Sequence, residues 1–308
     1  MRVLVTGGAG FIGSHVADRL VAEGNEVRVL DDLSSGRREN LEGPAAAAEL
    51  VEGAVRDLAA MRSAVAGCGA IVHLAALVSV QQSIADPLAS HAINVGGTLN
   101  ALVCAREAGV RRVIFASSAA VYGPAAQLPN REDAAPAPVS PYGADKLAGE
   151  AYCSAMWGAF GLETVVLRYF NVFGPRQDPA SEYAAVIPRF AQAFLAGRPP
   201  TIYGDGEQSR DFVFVEDVAR ANLLALEAPA AGLVANIARG EAVTLNRVVA
   251  ELRDLTGRDL DPVHEDPRPG DIRHSTAAVA VAERDLGFRP ERSLGEGLRA
   301  VLEGLGKS

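Results

Sequence analysis

The sequence predicts a doubly wound α/β fold, with a parallel sheet between two layers of helices and a smaller α/β unit interleaved on its C-terminal side. Three observations carry this. Short β-branched runs alternate with helical patterns through the first half of the chain. Those runs are apolar almost without interruption, as strands covered on both faces must be. The first of them runs directly into Gly7-Gly8-Ala9-Gly10-Phe11-Ile12-Gly13, which reads as a tight passage from strand into helix.

In chain order, residues 3–6, 27–31, 50–55, 71–75, 112–117 and 164–169 read as strands. An amphipathic helix through Val16, Leu20 and Val21 follows the first strand, and residues 87–108 and 142–160 are further helices. Beyond Asn171 the texture changes: Pro175, Pro179, Pro188, Pro199, Pro200, Pro262, Pro267 and Pro269 interrupt shorter elements. Residues 215–228 still have a helical pattern, and residues 233–238 resemble another buried strand. We therefore expect a dinucleotide-binding domain over residues 1–170, rejoined by residues 211–238, and a substrate domain over residues 171–308.

With 308 residues, 49% hydrophobic and 22% charged, the chain can bury a full core and is unlike disordered or fibrous sequences. Its net charge of -9 argues against a nucleic-acid binder, because neutralising phosphates needs clustered Lys and Arg. An anionic substrate would need a local basic pocket. Cys68, Cys104 and Cys153 are three and widely spaced, with no C-x-x-C pair, so they read as reduced buried thiols and not as a metal site. No metal is expected. No stretch approaches the ~20 apolar residues that span a bilayer, and none resembles a cleaved leader. The expected location is the cytoplasm, with no membrane partner.

The glycine-rich passage is a candidate Rossmann-type cofactor site. Gly7 permits the turn, Gly10 lets the backbone approach a pyrophosphate, and Gly13 lets the helix pack on the strand. Phe11 and Ile12 lie between them, at a helix N-terminus that faces the phosphates. The second strand ends at Asp31-Asp32, eighteen residues past Gly13. A carboxylate there accepts from the adenosine ribose diol and repels a 2′-phosphate, favouring NAD over NADP. Asp31 is the first candidate and Asp32 the second. Nearby Arg37 and Arg38 count in the other direction, since arginines can hold a 2′-phosphate. Asp57, and Leu74, Ala75 and Ala76 after His73, fall at the same sheet edge, where small side chains leave room for a cofactor. His73 itself reads as a packing residue.

Tyr142 and Lys146, four apart at a helix start marked by Ser140 and Pro141, project from one face. A nearby ammonium favours a phenolate, so the pair is a candidate general base. Ser117 and Ser118 close the fifth strand, at the edge where ligands collect in such sheets. Each motif alone is weak. Their order is not: glycine turn, acidic strand end, serine strand end, then Tyr-x-x-x-Lys.

That order resembles the extended short-chain dehydrogenase/reductase superfamily, and its wording resembles UDP-galactose 4-epimerases over nearly the whole chain. The matching stretches run from Thr6 to His15, Val29 to Leu33, His73 to Ala76, Asn94 to Asn100, Ser117 to Gly123, Tyr142 to Lys146, Arg168 to Pro175, Gly206 to Asp217 and Arg268 to Asp271. The resemblance implies that Tyr142 is the base, that Lys146 lowers its pKa and binds the nicotinamide ribose, and that Ser118 bonds the sugar O4. Ser118 is chosen over Ser117 because it precedes Ala119-Ala120-Val121-Tyr122-Gly123. A 4-keto sugar would form and turn over, leaving NAD as a permanent catalyst.

The same resemblance adds Asn94 to the cofactor set and places Ser79 on the substrate side. It assigns Asn171 to the substrate phosphate region, Arg210 and Arg268 to the diphosphate and Asp271 to the nucleotide ribose. Val186, Ile187, Thr201, Ile202 and Tyr203 would flank the base. A homodimer through the helices at 87–108 and 142–160 is also implied. Two positions depart from the pattern. Val78 stands where some epimerases carry a Lys that contacts NAD. Ser275 stands where enzymes restricted to unmodified hexoses carry a bulky Tyr, so N-acetylated sugars become candidates. Among rivals, a 4,6-dehydratase would need an acidic pair where Ala119 and Ala120 stand. A UDP-glucuronate 4-epimerase shares the triad, and a non-catalytic NAD-binding protein would not need it.

Overall fold

The computed structural model describes residues 1–124, 127–179, 186–267 and 272–306. Its first half runs β1 (Arg2–Thr6), α1 (Phe11–Ala22), β2 (Glu26–Asp31), β3 (Glu49–Glu52), α2 (Leu58–Val65), β4 (Ala70–His73), α3 (Val80–Ala85), α4 (Pro87–His91), α5 (Gly97–Glu107), β5 (Arg112–Ser118), α6 (Pro141–Phe160) and β6 (Glu163–Tyr169). The remainder runs β7 (Asn171–Phe173), α7 (Val186–Leu195), β8 (Thr201–Tyr203), β9 (Ser209–Arg210), β10 (Phe212–Phe214), α8 (Val215–Glu227), β11 (Leu233–Ile237), β12 (Val243–Thr244), α9 (Leu245–Thr256), β13 (Val263–Glu265), α10 (Ala280–Leu286) and α11 (Leu294–Leu305).

Seven strands form one parallel sheet in the order β11-β6-β5-β4-β1-β2-β3. Alternate residues of β1 enter different cores. Val3 and Val5 pack with Val16 and Leu20 of α1 and Val218 of α8, whereas Leu4 packs with Met61, Leu102 and Met156 of α2, α5 and α6. Both faces are therefore covered, and the doubly wound parallel architecture expected from unbroken apolar strands is what forms. Cys68, Cys104 and Cys153 are free and buried in the second of these cores. Among the described residues no helix is long and apolar enough to cross a membrane.

Three elements differ from expectation, the first being the third strand, which covers Glu49–Glu52 and not 50–55. The fourth strand stops at His73, not at 75, because the next backbone groups leave the ladder: Ala75 N–H donates to Thr6 Oγ1, and both backbone polar groups of Leu77 bond the Asn94 side chain. The expected helix over 87–108 is interrupted by a wider π-type turn at Ala92–Gly96. Such turns cost regular hydrogen bonding and recur at functional sites.

The smaller unit has its own core, in which Phe173, Phe190, Phe194, Phe212, Phe214, Val248, Leu252 and Leu298 converge. Its strands are short and pair in twos, β10 with β7, β12 with β9 and β13 with β8.

Candidate active site

The cofactor edge is built around glycine. Gly7 has φ 71°, and a Cβ there would lie 2.7 Å from Ala75 N; a Cβ on Gly13 would lie 2.0 Å from Gly7 O. Both positions are closed to any side chain. Gly10 differs, since a Cβ there would meet only Gly7 O, at 3.2 Å, so its other side is open. Gly10 is the N-cap of α1 and supplies no side-chain cap, leaving the first-turn N–H groups of Phe11 and Ile12 directed outward from the sheet edge. This fits a pyrophosphate: open backbone donors at a helix N-terminus, with no Cβ to obstruct approach.

Asp31 lies buried against this turn. Its Oδ2 accepts from Ala9 N–H at 2.9 Å and its Oδ1 from Leu33 N–H at 2.9 Å, pinning the glycine turn to a residue at φ 57°. Burial raises its carboxyl pKa, and those two donors oppose the rise. Asp32 is exposed and accepts from the backbone and hydroxyl of Ser34. Of the adjacent pair, only Asp31 touches the glycine turn. The two arginines that could have favoured a 2′-phosphate are each held by a carboxylate: Arg37 by Asp178 at 2.7 Å, and Arg38 by Glu52. Asp57 is the exposed N-cap of α2, accepting from Ala59 and Ala60 N–H.

Leu74, Ala75 and Ala76 lie half-buried beside the glycine turn, with Leu74 N–H donating to Thr6 O. Asn94 is buried behind them. Its Oδ1 accepts from Leu77 N–H, while its Nδ2 is near Leu77 O, Ser90 Oγ and the Asp145 carboxylate. The side chain thus braces the loop that borders the cofactor edge. His73 bridges Thr6 and Thr98, and burial drives its imidazole down to about 3, so it is neutral.

Three residues meet at the C-terminal edge of β5. Tyr142 and Lys146 occupy successive turns of α6, whose start is fixed by Ser140 capping Gly143 N–H and by Ser83 accepting from Tyr142 N–H at 3.1 Å. The Tyr142 phenol is hydrogen-bonded to Ser118, and burial nevertheless raises its pKa above the ordinary value. Lys146 Nζ donates to Ala116 O at 2.8 Å and lies 5.9 Å from the Tyr142 ring centroid. Its ammonium is buried, which drives its pKa down to about 8. Without ligands the tyrosine is therefore neutral and the lysine cationic at pH 7.

Sequence reasoning passed over the side chains beneath this trio. Glu150, one turn beyond Lys146, forms a buried ion pair with Arg168 of β6, N to O 2.7 Å, and accepts from Ser117 Oγ. Arg168 also donates to Tyr122 Oη at 2.9 Å. The signal was present: Tyr142, Lys146 and Glu150 recur at four-residue spacing, and three polar residues on a helix's inner face need partners. Asp145 was missed too; it accepts from Ser90 Oγ at 2.6 Å.

The substrate-side candidates are more scattered. Asn171 is exposed at the start of β7, its N–H donating to Asp211 O. Arg210 lies on β9, its guanidinium donating to Ser209 O. Thr201 and Tyr203 share one face of β8, half-buried, whereas Ile202 and Ile187 are fully buried in the small core and only Val186 is part-exposed at the start of α7. Ser79 caps α3 through Gln82 N–H. Ser275 is half-buried and its N–H donates to Ser209 O at 3.1 Å. Arg268 and Asp271 lie outside the described residues. Among the described residues no cluster of His, Cys, Asp and Glu could hold a metal.

The profile of the NAD dependent epimerase/dehydratase family matches residues 3–238. The chain belongs to that family. A UDP-glucose 4-epimerase of Mycolicibacterium smegmatis is 40% identical, covering 98% of each chain. Among solved structures, a UDP-glucose 4-epimerase of Thermotoga maritima with UDP-glucose superposes with a TM-score of 0.95 at 41% identity, over 100% of this chain and 99% of that one. A UDP-N-acetylglucosamine 4-epimerase of Methanobrevibacter ruminantium M1, in complex with UDP-N-acetylmuramic acid, gives the same TM-score and identity over 99% and 98%.

Proposed function

We propose that this protein is an NAD-dependent 4-epimerase of UDP-hexoses, interconverting UDP-glucose and UDP-galactose through a transient 4-keto sugar. The observation that carries it is the meeting of Ser118, Tyr142 and Lys146 at one strand end beside the glycine turn, on a chain with Ala119 and Ala120 where elimination chemistry needs acids.

The glycine-turn backbone at Gly7, Gly10, Phe11, Ile12 and Gly13 holds the pyrophosphate, and Asp31 the adenosine ribose. Ser118 orients the sugar O4. Tyr142 takes the C4 hydroxyl proton and returns it at the end of the cycle. Lys146 supplies positive charge within the buried site, stabilising the phenolate once substrate and cofactor exclude water. When bound, NAD supplies the hydride acceptor for C4 and the hydride that returns to the opposite face. On the nucleotide side, Arg210 and Arg268 pair with the diphosphate, and Asn171 and Asp271 complete the contacts. Ser275 leaves space beside C2, so UDP-GlcNAc and UDP-GalNAc enter as well.

The apolar side chains Leu88, exposed at 82%, and Phe160, at 55%, support a homodimer through the helical stretches at 87–108 and 142–160. Light scattering that returns a monomer at working concentration removes it. The protein acts in the cytoplasm.

Mixing the protein with UDP-galactose and following UDP-glucose tests the activity, with UDP-glucuronate and dTDP-glucose as parallel substrates. Appearance of UDP-glucose, lost in Tyr142→Phe while the variant keeps NAD, is the expected result. Turnover of UDP-glucuronate alone would move the substrate class, and no turnover of any would leave only a binding protein.

A further inference from the structure

We infer that Asp211 is the positioning residue of the nucleotide-sugar side, fixing the relative placement of Asn171, Arg210 and Ser275 without itself touching substrate. This rests on the epimerase reading above.

Asp211 sits between β9 and β10 and is 0% exposed. Its Oδ1 accepts from Arg239 N–H at 2.8 Å, and its Oδ2 from Gly240 N–H at 3.0 Å and Ala277 N–H at 3.1 Å. Its backbone carbonyl accepts from Asn171 N–H at 3.0 Å. One residue therefore joins four stretches of chain: β7 through Asn171, β9 through the adjoining Arg210, the turn after β11 through Arg239 and Gly240, and the segment reaching Ala277.

That segment carries Ser275 two residues earlier, and Ser275 N–H donates to Ser209 O. The three candidates span residues 171 to 275, with Asn171 and Arg210 on strands of only three and two residues and Ser275 on none. Such strands do not hold register unaided, because a two-residue ladder offers few bonds against the entropy of fixing the chain. A buried carboxylate with three convergent backbone donors provides the missing constraint. A carboxylate satisfies all three, since it accepts on both oxygens and donates nothing.

Asp211→Asn keeps the shape and replaces one acceptor oxygen with an NH2 group. In either amide orientation that group faces at least one backbone N–H, so donor meets donor and the segments part. The expected result is a KM for UDP-galactose raised about tenfold or more, which is ~1.4 kcal/mol of lost binding, with kcat changed less than about threefold and NAD retained. A folded variant with unchanged KM overturns the proposal, and so does a variant in which kcat and NAD content fall along with the rise in KM, since that marks a merely structural role. If Asp211→Asn does not fold, amide exchange on the natural protein decides. UDP binding should slow exchange at Arg239, Gly240 and Ala277, and unaltered exchange there sinks the idea. Should the natural protein epimerise no UDP-hexose, the functional reading fails first, independently of either measurement.

Discussion

The two ligand-facing halves are held in place by different means. On the cofactor edge the backbone does the work: the parallel strands β1, β2 and β4 fix Gly7, Gly13 and Ala75 so closely that a single methyl group would collide. On the nucleotide-sugar side the strands are two and three residues long, and side chains bond across them, the Asp211 carboxylate to backbone N–H groups and the Ser209 hydroxyl to the His274 ring. A backbone-built site should fail abruptly when one position changes. A side-chain-built site should be retuned gradually. The largest expected effects on folding and on the hexose reaction therefore lie among the glycines and the smallest at Ser275.

Gly13→Ala is the severest test. Its methyl would sit 2.0 Å from Gly7 O and 2.7 Å from Gly8 Cα, and neither backbone atom can yield without moving the turn off β1. The loss should be on the order of 3 kcal/mol of stability, together with NAD binding. Gly10→Ala sharpens the contrast, since its methyl meets only Gly7 O at 3.2 Å. That variant should melt near the natural protein yet bind NAD poorly. Calorimetry of both, with and without NAD, checks the pair; equal melting temperatures for Gly13→Ala and the natural protein would break the argument.

Lys146 comes next, because its charge is placed at a cost. Burial holds its pKa at about 8, below the ordinary 10.5, so at pH 7 the folded protein keeps a cation that the unfolded chain would solvate better. The sign follows. This group's contribution is unfavourable below pH 8 and is relieved as pH rises from 8 toward 10.5. Turnover runs the other way, needing the cation and declining through a limb near pH 8. Lys146→Met should lose at least ~100-fold in kcat while its melting temperature stays level or rises. A large fall in Tm would make the ammonium a net stabiliser.

Much of the cofactor half was legible because its signals are local. A glycine turn between a buried strand and a helix has few readings, whereas Tyr142, Lys146 and the Ser117-Ser118 strand end gain force only from their order along the chain, and Ser118 is singled out only by the family resemblance. Bonds between distant positions were not legible. Nothing near Asn94 in sequence says that its amide grips Leu77, and nothing near Arg168 says that Glu150 awaits it beneath the active site. The same holds for Ile187 and Ile202, expected beside the base and found in the small core, since a hydrophobic pattern alone does not separate a ligand face from a packing face. Around Asp271 and Arg268 only the sequence speaks.

Asp31 tests whether a cofactor-side residue can act through its side chain alone. Its two carboxylate oxygens hold Ala9 and Leu33, so Asp31→Ala removes a turn anchor along with the proposed ribose acceptor. NAD affinity should fall tenfold or more, ~1.4 kcal/mol, measured by titration calorimetry. Asp31→Asn separates the roles, because the amide can still accept once but no longer repels a 2′-phosphate. Its preference for NAD over NADP should narrow, and an unchanged preference would leave Arg37 and Arg38, tied to Asp178 and Glu52, as the stronger determinants.

The smallest effect on folding and on the hexose reaction is expected at Ser275, where the two halves' difference should be plainest. Two neighbours that might refill the space are turned elsewhere: Arg273 makes two 2.7 Å bonds to Asp205, and the His274 ring bonds Ser209 Oγ at 2.9 Å. The backbone at 275 is tethered to Ser209 O, so a larger side chain must take up room without moving the segment that Asp211 holds at Ala277. Ser275→Tyr should therefore fold and keep NAD. It should lower kcat/KM for UDP-GalNAc relative to UDP-galactose by about 10- to 200-fold, the ~1 to 3 kcal/mol that a size difference in a pocket is worth. UDP-galactose itself should change little, because a roomy pocket holds the smaller hexose less firmly without rejecting it. Steady-state kinetics with both sugars on both proteins reads this ratio directly. If the natural protein ignores UDP-GalNAc, or the tyrosine variant uses it equally well, the side chain at 275 is not what admits the acetamido group.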